Sequence, residues 1–278
     1  MPIPFNFADY TMRFLTLLSD FGHKDASTAI ARSILLRHNP DAAVLEISAS
    51  VTGENLIEAA YLSASSYKEF PEGTCHIIYV GIYHSRNPSL VLCEKDGHYF
   101  LAPNNGILPL ALGIENISLW QCYEWDRDDQ NFRDWQEKCA EIAYILSHKK
   151  PADLGFPHFK LDPIKQMTMP LPVATEHSVD CQILHIAHNG NLIINMRKEE
   201  FEALRRNRGF KIDLGGIGNI GVITPHAGMV SEGEALCRFN RAGYMEIAVK
   251  GASAAKLLSF NLYDTKQKYY RHLKISFE

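Results

Sequence analysis

Apolar positions along the first half of the chain switch between two periods, which predicts alternating strands and helices. Phe14-Leu15-Thr16-Leu17-Leu18 is a continuous apolar run of strand length, and Ala26, Ile30 and Ile34, with Ala29 and Ser33 beside them, follow at helical spacing up to Asn39-Pro40. Ala43 to Ile47 reads as the next strand. Glu54 to Phe70 reads as a helix closed by Pro71 and Gly73, and Cys75 to Val80 as a buried, β-branched strand. Leu90 to Cys93 and Tyr99 to Leu101 flank Lys95-Asp96-Gly97, a hairpin signal. Phe132 to Leu146 carries Trp135, Cys139, Ile142, Ala143 and Leu146 on one helical face. Such alternation predicts an α/β domain with a mostly parallel sheet covered by helices.

The texture changes after Lys149-Lys150-Pro151. Pro157, Pro163, Pro170 and Pro172 mark a connection, and from Ser178 the segments are short, with turns at Asn189-Gly190, Gly215-Gly216 and Ala242-Gly243. We therefore expect an α/β domain over 12–160, a linker over 161–177 and a smaller, mainly β domain over 178–278. At 278 residues the chain is long enough for two such cores.

Composition narrows the class of partner. The net charge of −4 offers no basic footprint for nucleic acid, no apolar run reaches the length of a membrane span, and the start lacks the pattern of a signal peptide. Six cysteines, Cys75, Cys93, Cys122, Cys139, Cys181 and Cys237, are scattered without a CxxC pair, which suits reduced core thiols in a cytoplasmic protein.

Chemistry concentrates where the first strand ends. Ser19-Asp20-Phe21-Gly22 follows it directly, and ligands of open α/β sheets collect beyond the carboxyl ends of the strands, where an acidic side chain accepts both hydroxyls of a ribose. Asp25 suits either a second ligand contact or a helix N-cap. Gly216-Ile217-Gly218-Asn219-Ile220-Gly221 spells a dinucleotide fingerprint, but Val222-Ile223-Thr224-Pro225 behind it is extended rather than helical, so a turn between strands is expected. Asp20-Phe21-Gly22 lacks the companion motifs of a kinase. Cys181, His185 and His188 form an incomplete set for a metal, and none is assigned. Ala102-Pro103-Asn104-Asn105-Gly106, His188-Asn189-Gly190-Asn191-Leu192-Ile193 and Asn240-Arg241-Ala242-Gly243-Tyr244 combine amide and small residues with turn geometry.

Taken in order with Leu15 to Asp25, Phe70-Pro71-Glu72-Gly73-Thr74 and Gly243 to Val249, these segments resemble the S-adenosyl-L-methionine (SAM) hydroxide adenosyltransferase family, which also includes SAM-dependent halogenases. The resemblance implies an α/β N-terminal domain, a barrel-like β C-terminal domain, and a homotrimer with sites between neighbouring subunits. It implies SAM as substrate or ligand, with no further cofactor. Asp20 would hold the ribose diol, Asp25 would lie near the methionine moiety, and Asn191 would contact the nucleoside. The Asn240-Arg241 turn, with backbone near Ser253-Ala254-Ala255, would receive the carboxylate and the adenine. Arg241 suits a carboxylate independently, through its planar fork.

The departures from the family pattern lie in its water-activating set. Where family hydrolases carry an aspartate and a following arginine, this chain has Gly81 and Pro88, with Arg86 close by; where they carry a histidine it has Arg133, and a further acidic position is Ala187. His84, Arg86 and Asp134 are the candidate replacements. The resemblance implies hydrolysis of SAM to adenosine and L-methionine by attack of water at C5′; a non-catalytic SAM- or adenosine-binding protein is the alternative, and another nucleophilic adenosyltransferase is less favoured. Halogenation is disfavoured, because Asp134 stands where halogenases have a small hydroxyl and its carboxylate repels halide.

Overall fold

The computed structural model describes residues 13–53, 55–84, 89–113, 115–124, 132–158, 168–260 and 272–278. They fall into two compact units, 1–168 and 169–278.

In the first unit, β1 (Arg13–Ser19), α1 (Ser27–His38), β2 (Ala42–Ser48), α2 (Leu56–Ser66), β3 (Cys75–Tyr79), β4 (Ser89–Lys95), β5 (His98–Pro103), α3 (Ile107–Leu112), β6 (Ser118–Glu124) and α4 (Phe132–Leu146) build a six-stranded sheet of order 2-1-3-5-4-6. Strands β2, β1, β3 and β5 run parallel, and β4 pairs antiparallel with both β5 and β6. The sheet is covered on both faces, which is why β1 reads as an unbroken apolar run. Leu15, Leu17, Ile77 and Leu92 meet Ala31, Ile34 and Leu35 of α1 and Trp135, Cys139 and Ile142 of α4. Thr16, Leu18, His76, Ile78 and Phe100 look the other way, toward Ser63 and Ser66 of α2.

The β4–β5 hairpin forms as expected, with both turn residues left-handed, Asp96 at φ 51° and Gly97 at φ 76°. The face of α1 differs from the expected one. Thr28, Ala31, Ile34 and Leu35 are buried, whereas Ile30 is 50% exposed. Thr28 Oγ1 donates to Gly22 O at 2.9 Å and so sets the rotation of the helix from its first turn. The expected long second helix ends at Ser66 and tightens into a 3₁₀ turn over Tyr67–Glu69. Asn55 caps its start by accepting from Glu58 N, while Glu58 Oε2 accepts from Thr52 N, a reciprocal arrangement of the capping-box kind.

The α2 face hides a polar chain. His76 Nδ1 lies 2.8 Å from Thr16 Oγ1 and its Nε2 lies 3.3 Å from His98 Nδ1, with both rings buried. Burial, and then the charge of His98, push the His76 pKa down to about 3; His98 is lowered chiefly by burial. A histidine held neutral in the fold is protonated more readily after unfolding. Stability is therefore full above the ordinary histidine pKa of about 6.5 and falls as the pH drops below it, at up to about 1.4 kcal/mol per pH unit for each such group. Urea midpoints measured at pH 7.5 and 5.0 are expected to differ in that sense, and His76→Gln should flatten the dependence.

The second unit contains β7 (Val173–Ala174), β8 (Ser178–Ile186), β9 (Leu192–Arg197), α5 (Lys198–Arg205), β10 (Phe210–Asp213), β11 (Asn219–Ile220), β12 (Ala235–Phe239), β13 (Tyr244–Val249), α6 (Ala254–Leu257) and β14 (His272–Phe277). Its strands follow the order 11-10-14-8-9-13-12, and β7 pairs with β8. The ring is nearly closed: beyond β11, Thr224 N donates to Cys237 O of β12 at 2.8 Å. Alternate strand residues point inward, among them Ile194, Met196, Ile212, Met245, Ile247 and Ile275, and Phe201 of α5 packs on the same core. Gly215–Ile217 is a 3₁₀ turn leading into β11, so the glycine-rich segment forms no phosphate-binding helix. Part of the expected linker, residues 161–167, lies outside the described residues.

Candidate functional site

In the first unit the chain leaves β1 for β2 on one side and later returns to β3 on the other, which opens a crevice between the ends of β1 and β3. Asp20 stands there. Its Oδ2 accepts the Gly81 N–H at 3.0 Å, which bridges the crevice, while Gly22 N donates to Ala49 O at 2.6 Å with Gly22 left-handed at φ 76°.

Asn105 ties the same crevice from the side. Its Nδ2 donates to Val80 O at 2.9 Å and Gly81 O at 3.1 Å, and its Oδ1 accepts from Ile107 N at 3.1 Å. The Ala102 to Gly106 segment is thus a strap that holds the end of β3. Phe21 stacks on Tyr79 at 5.9 Å, and Phe132 meets Phe21, Tyr79 and Tyr83 at 5.7, 5.8 and 6.2 Å between ring centroids. Sequence reading assigned no role to these rings; a cluster of single aromatics from three distant segments has no periodic signature.

Asp25 is exposed one residue before Ala26, the N-cap of α1, and its Oδ1 accepts from Ser27 N at 2.8 Å in a local turn; that bond and one to the Ser27 side chain lower its pKa. Asp134 is exposed in the first turn of α4. Arg133 gives its Nε to Glu137 at 3.3 Å. Glu137 also receives Arg37 and His38, each at 2.6 Å. Burial alone would raise the Glu137 pKa, but these partners hold it below the ordinary value. The backbone of His84 belongs to a 3₁₀ turn over Ile82–His84, while its side chain, Arg86 and Pro88 lie outside the described residues.

The second unit gathers Asn191 and Ser253 on one cleft of about 480 Å³, lined also by Asn189, Leu236, Arg238 and Ala248. Gly190 joins the two segments: its carbonyl accepts from Ala255 N at 2.9 Å, and a Cβ there would stand 2.0 Å from Ser253 Oγ. Ser253 caps α6 by accepting from Lys256 N, and Ala254 and Ala255 are buried behind it. Asn240 and Arg241 sit at the opposite end of β13, about 17 Å away at the rise of an extended strand. There Asn240 folds the hairpin, with Oδ1 accepting from Tyr244 N at 3.0 Å. The Asn240-Arg241 turn and the Ser253 to Ala255 segment thus lie at the two ends of β13.

Glu246 and Arg238 had no assigned role. They face each other across β12 and β13, with Arg238 Nε on Oε2 at 3.1 Å and Nη2 on Oε1 at 3.0 Å, and Asn191 Nδ2 donates to the same Oε1 at 2.5 Å. The hydrogen bond to Glu246 raises the Arg238 pKa. Counting outward from the Asn240 turn would have paired these two residues in the sequence.

Among the described residues no His, Cys, Asp or Glu group is gathered for a metal, and no helix is long and apolar enough to cross a membrane. The six thiols are free; burial pushes those of Cys75, Cys93, Cys122, Cys181 and Cys237 up to about 12, leaving them unreactive near neutrality.

A parallel-sheet domain with an acidic residue at its strand-end crevice, followed by a nearly closed β-barrel with its own polar cleft, defines a two-domain class of small-molecule-binding protein. Residues 15–153 match the family model of the SAM hydroxide adenosyltransferase N-terminal domain and residues 181–267 that of the C-terminal domain, so the chain belongs to the SAM hydroxide adenosyltransferase family. It is 21% identical over 275 residues to (R)-S-adenosyl-L-methionine hydrolase of Methanocaldococcus jannaschii, covering 94% of this chain and 98% of that one. The protein of the same name from Thermus thermophilus is 24% identical over 261 residues, covering 89% and 96%. The fold is shared with an uncharacterized conserved protein from Thermotoga maritima, at a TM-score of 0.75 and 22% identity over 95% of this chain and 99% of that one. It is also shared with a conserved hypothetical protein from Thermus thermophilus, at 0.68 and 23% over 96% and 100%.

Proposed function

We propose that the chain hydrolyses SAM to adenosine and L-methionine. The observation that carries this reading is Asp20, whose carboxylate is anchored on Gly81 N–H at the β1–β3 crevice, where it suits the two hydroxyl donors of a ribose. Attack of water on C5′ forms a C–O bond as the C5′–S bond breaks. The bonding pair returns to sulfur and cancels the sulfonium charge, methionine leaves as a neutral thioether, and the attacking water gives up one proton to a base or to solvent. The leaving group needs no general acid. Holding the water in line supplies up to about 7–11 kcal/mol, and a base adds about 10²- to 10⁴-fold. His84, Arg86 and Asp134 are the groups we assign to that water.

The two hydrolases that the chain resembles are named for the R form of the sulfonium, and we extend that preference to this chain. Purified protein incubated separately with each sulfonium epimer should release adenosine, seen by chromatography, faster from the R form. Release no faster than the uncatalysed background from either epimer would sink the hydrolase reading. A second reading, a binding protein without turnover, is favoured by the Arg133–Glu137 contact, which occupies the position of the family histidine with a paired guanidinium. It predicts saturable binding of SAM and adenosine without release. We also infer a homotrimer with sites between neighbouring copies; light scattering should then give three times 31.4 kDa.

A further inference from the structure

One peptide group stands between Asp20 and Asn105. A trans peptide is planar and points its carbonyl and its N–H in opposite directions. In the Val80–Gly81 peptide the N–H donates to Asp20 Oδ2 at 3.0 Å, while the Val80 carbonyl on the other edge accepts from Asn105 Nδ2 at 2.9 Å. The same Nδ2 donates to Gly81 O at 3.1 Å, so one amide pins both peptide planes that meet at the Gly81 Cα. Asn105 is itself fixed. It is 5% exposed, its Oδ1 accepts from Ile107 N at 3.1 Å, and its backbone N–H donates to Pro103 O at 2.8 Å. Only an NH₂ can face two carbonyls, so these surroundings also set which way the amide points.

Pinning matters because residue 81 is a glycine at φ 62°. Without a Cβ it takes up positive and negative φ with similar ease, so sterics alone do not hold the peptide in one orientation. A half-turn of the Val80–Gly81 plane would present the Val80 carbonyl, in place of the N–H, to the Asp20 carboxylate. Two acceptors would then face each other, and the carboxylate would lose its anchor.

We propose that Asn105 is a positioning residue for ribose recognition: it holds the Val80–Gly81 peptide against a flip, which keeps the Gly81 N–H on Asp20 and the Asp20 carboxylate aimed at the ribose diol. The inference rests on the ribose role given to Asp20 in the functional reading, and it is independent of hydrolysis. Asn105 acts through the backbone and not by contact with the ligand.

Calorimetric titration with adenosine and with 2′,3′-dideoxyadenosine, which lacks the diol, tests this without any turnover. The unaltered protein should bind adenosine at least about 10-fold more tightly, as expected when hydrogen bonds to a charged group are lost. In Asn105→Ala that ratio should fall toward one through weaker adenosine binding alone; a merely structural defect would weaken both nucleosides alike. Asn105→Asp keeps the side-chain size and the acceptor for Ile107 N but loses both donors. It should show the same fall, and it keeps the test open if the alanine variant does not fold. In an Asp20→Ala background, Asn105→Ala should cost no further affinity, because the group it positions is gone. A ratio that survives in the Asn105 variants, equal weakening of both nucleosides, or additive losses in the double variant would overturn the proposal while leaving Asp20 as the ribose site. Equal binding of the two nucleosides by the unaltered protein, or binding of neither, removes the ribose role of Asp20 and this inference together.

Discussion

Asp20→Ala is expected to lower adenosine release from SAM by about 10²- to 10⁴-fold, measured as kcat/KM with adenosine quantified by chromatography. A hydrogen bond to a charged group contributes about 1.5–3 kcal/mol, and a ribose diol makes two of them; each 1.4 kcal/mol is about tenfold. Alanine also removes the acceptor for Gly81 N–H, which loosens the crevice itself. Asp20→Asn separates the two effects. It keeps one oxygen acceptor of the same shape, so a variant that folds normally yet still loses more than tenfold in kcat/KM assigns the loss to the ligand. Were Asp20→Ala to turn over SAM at an unchanged rate, the crevice would not be the ribose site.

The second large effect is expected from a single methyl group. Gly190→Ala should destabilise the second unit by about 2–5 kcal/mol and abolish nucleoside binding there. Two costs add. Gly190 has φ +83°, in the left-handed region that costs a residue with a Cβ about 1–2 kcal/mol, and overpacking a tight site costs about 1–3 kcal/mol more. The new Cβ would meet Ser253 Oγ at 2.0 Å and the Ser253 Cα at 2.9 Å, so the backbone itself must move and no rotamer change relieves it. That movement pulls the Gly190 carbonyl off Ala255 N and separates the two segments that line the cleft. Urea denaturation with a probe of β-structure checks the stability, and adenosine titration of the folded fraction checks the cleft. A variant as stable as the parent would show that the close approach of residues 190 and 253 is not maintained in solution.

Much of the fold was legible because burial leaves a periodic trace. The apolar stripe of α4 and the buried strand Cys75–Tyr79 appear where the pattern put them, and the Asp96-Gly97 hairpin is set by backbone conformations that few other residues adopt. The misread face of α1 shows the limit of periodicity. Both the 26/30/34 stripe and the 28/31/35 stripe have helical spacing, and the bond from Thr28 to Gly22, which involves no periodic feature, selects between them.

The site divides along the same line. The place of Asp20 at the end of β1 was legible because a strand end is a local feature. Asn105 was legible only as a turn, since its three hydrogen bonds reach backbone some two dozen residues away and its own neighbours. Asn240-Arg241 and Ser253-Ala255 are near in sequence but sit at opposite ends of β13, because an extended strand carries its two ends apart.

The sequence by itself determined the two-domain class, the acidic strand end and the departures at Gly81 and Arg133, all of which depend on residue identity and local spacing. Only the tertiary structure decided that Asp20 grips Gly81 and that Asn191 meets Glu246. Each of those is a directional hydrogen bond between groups remote in the chain. Its existence depends on distances of a few tenths of an ångström that hydrophobic patterning does not encode.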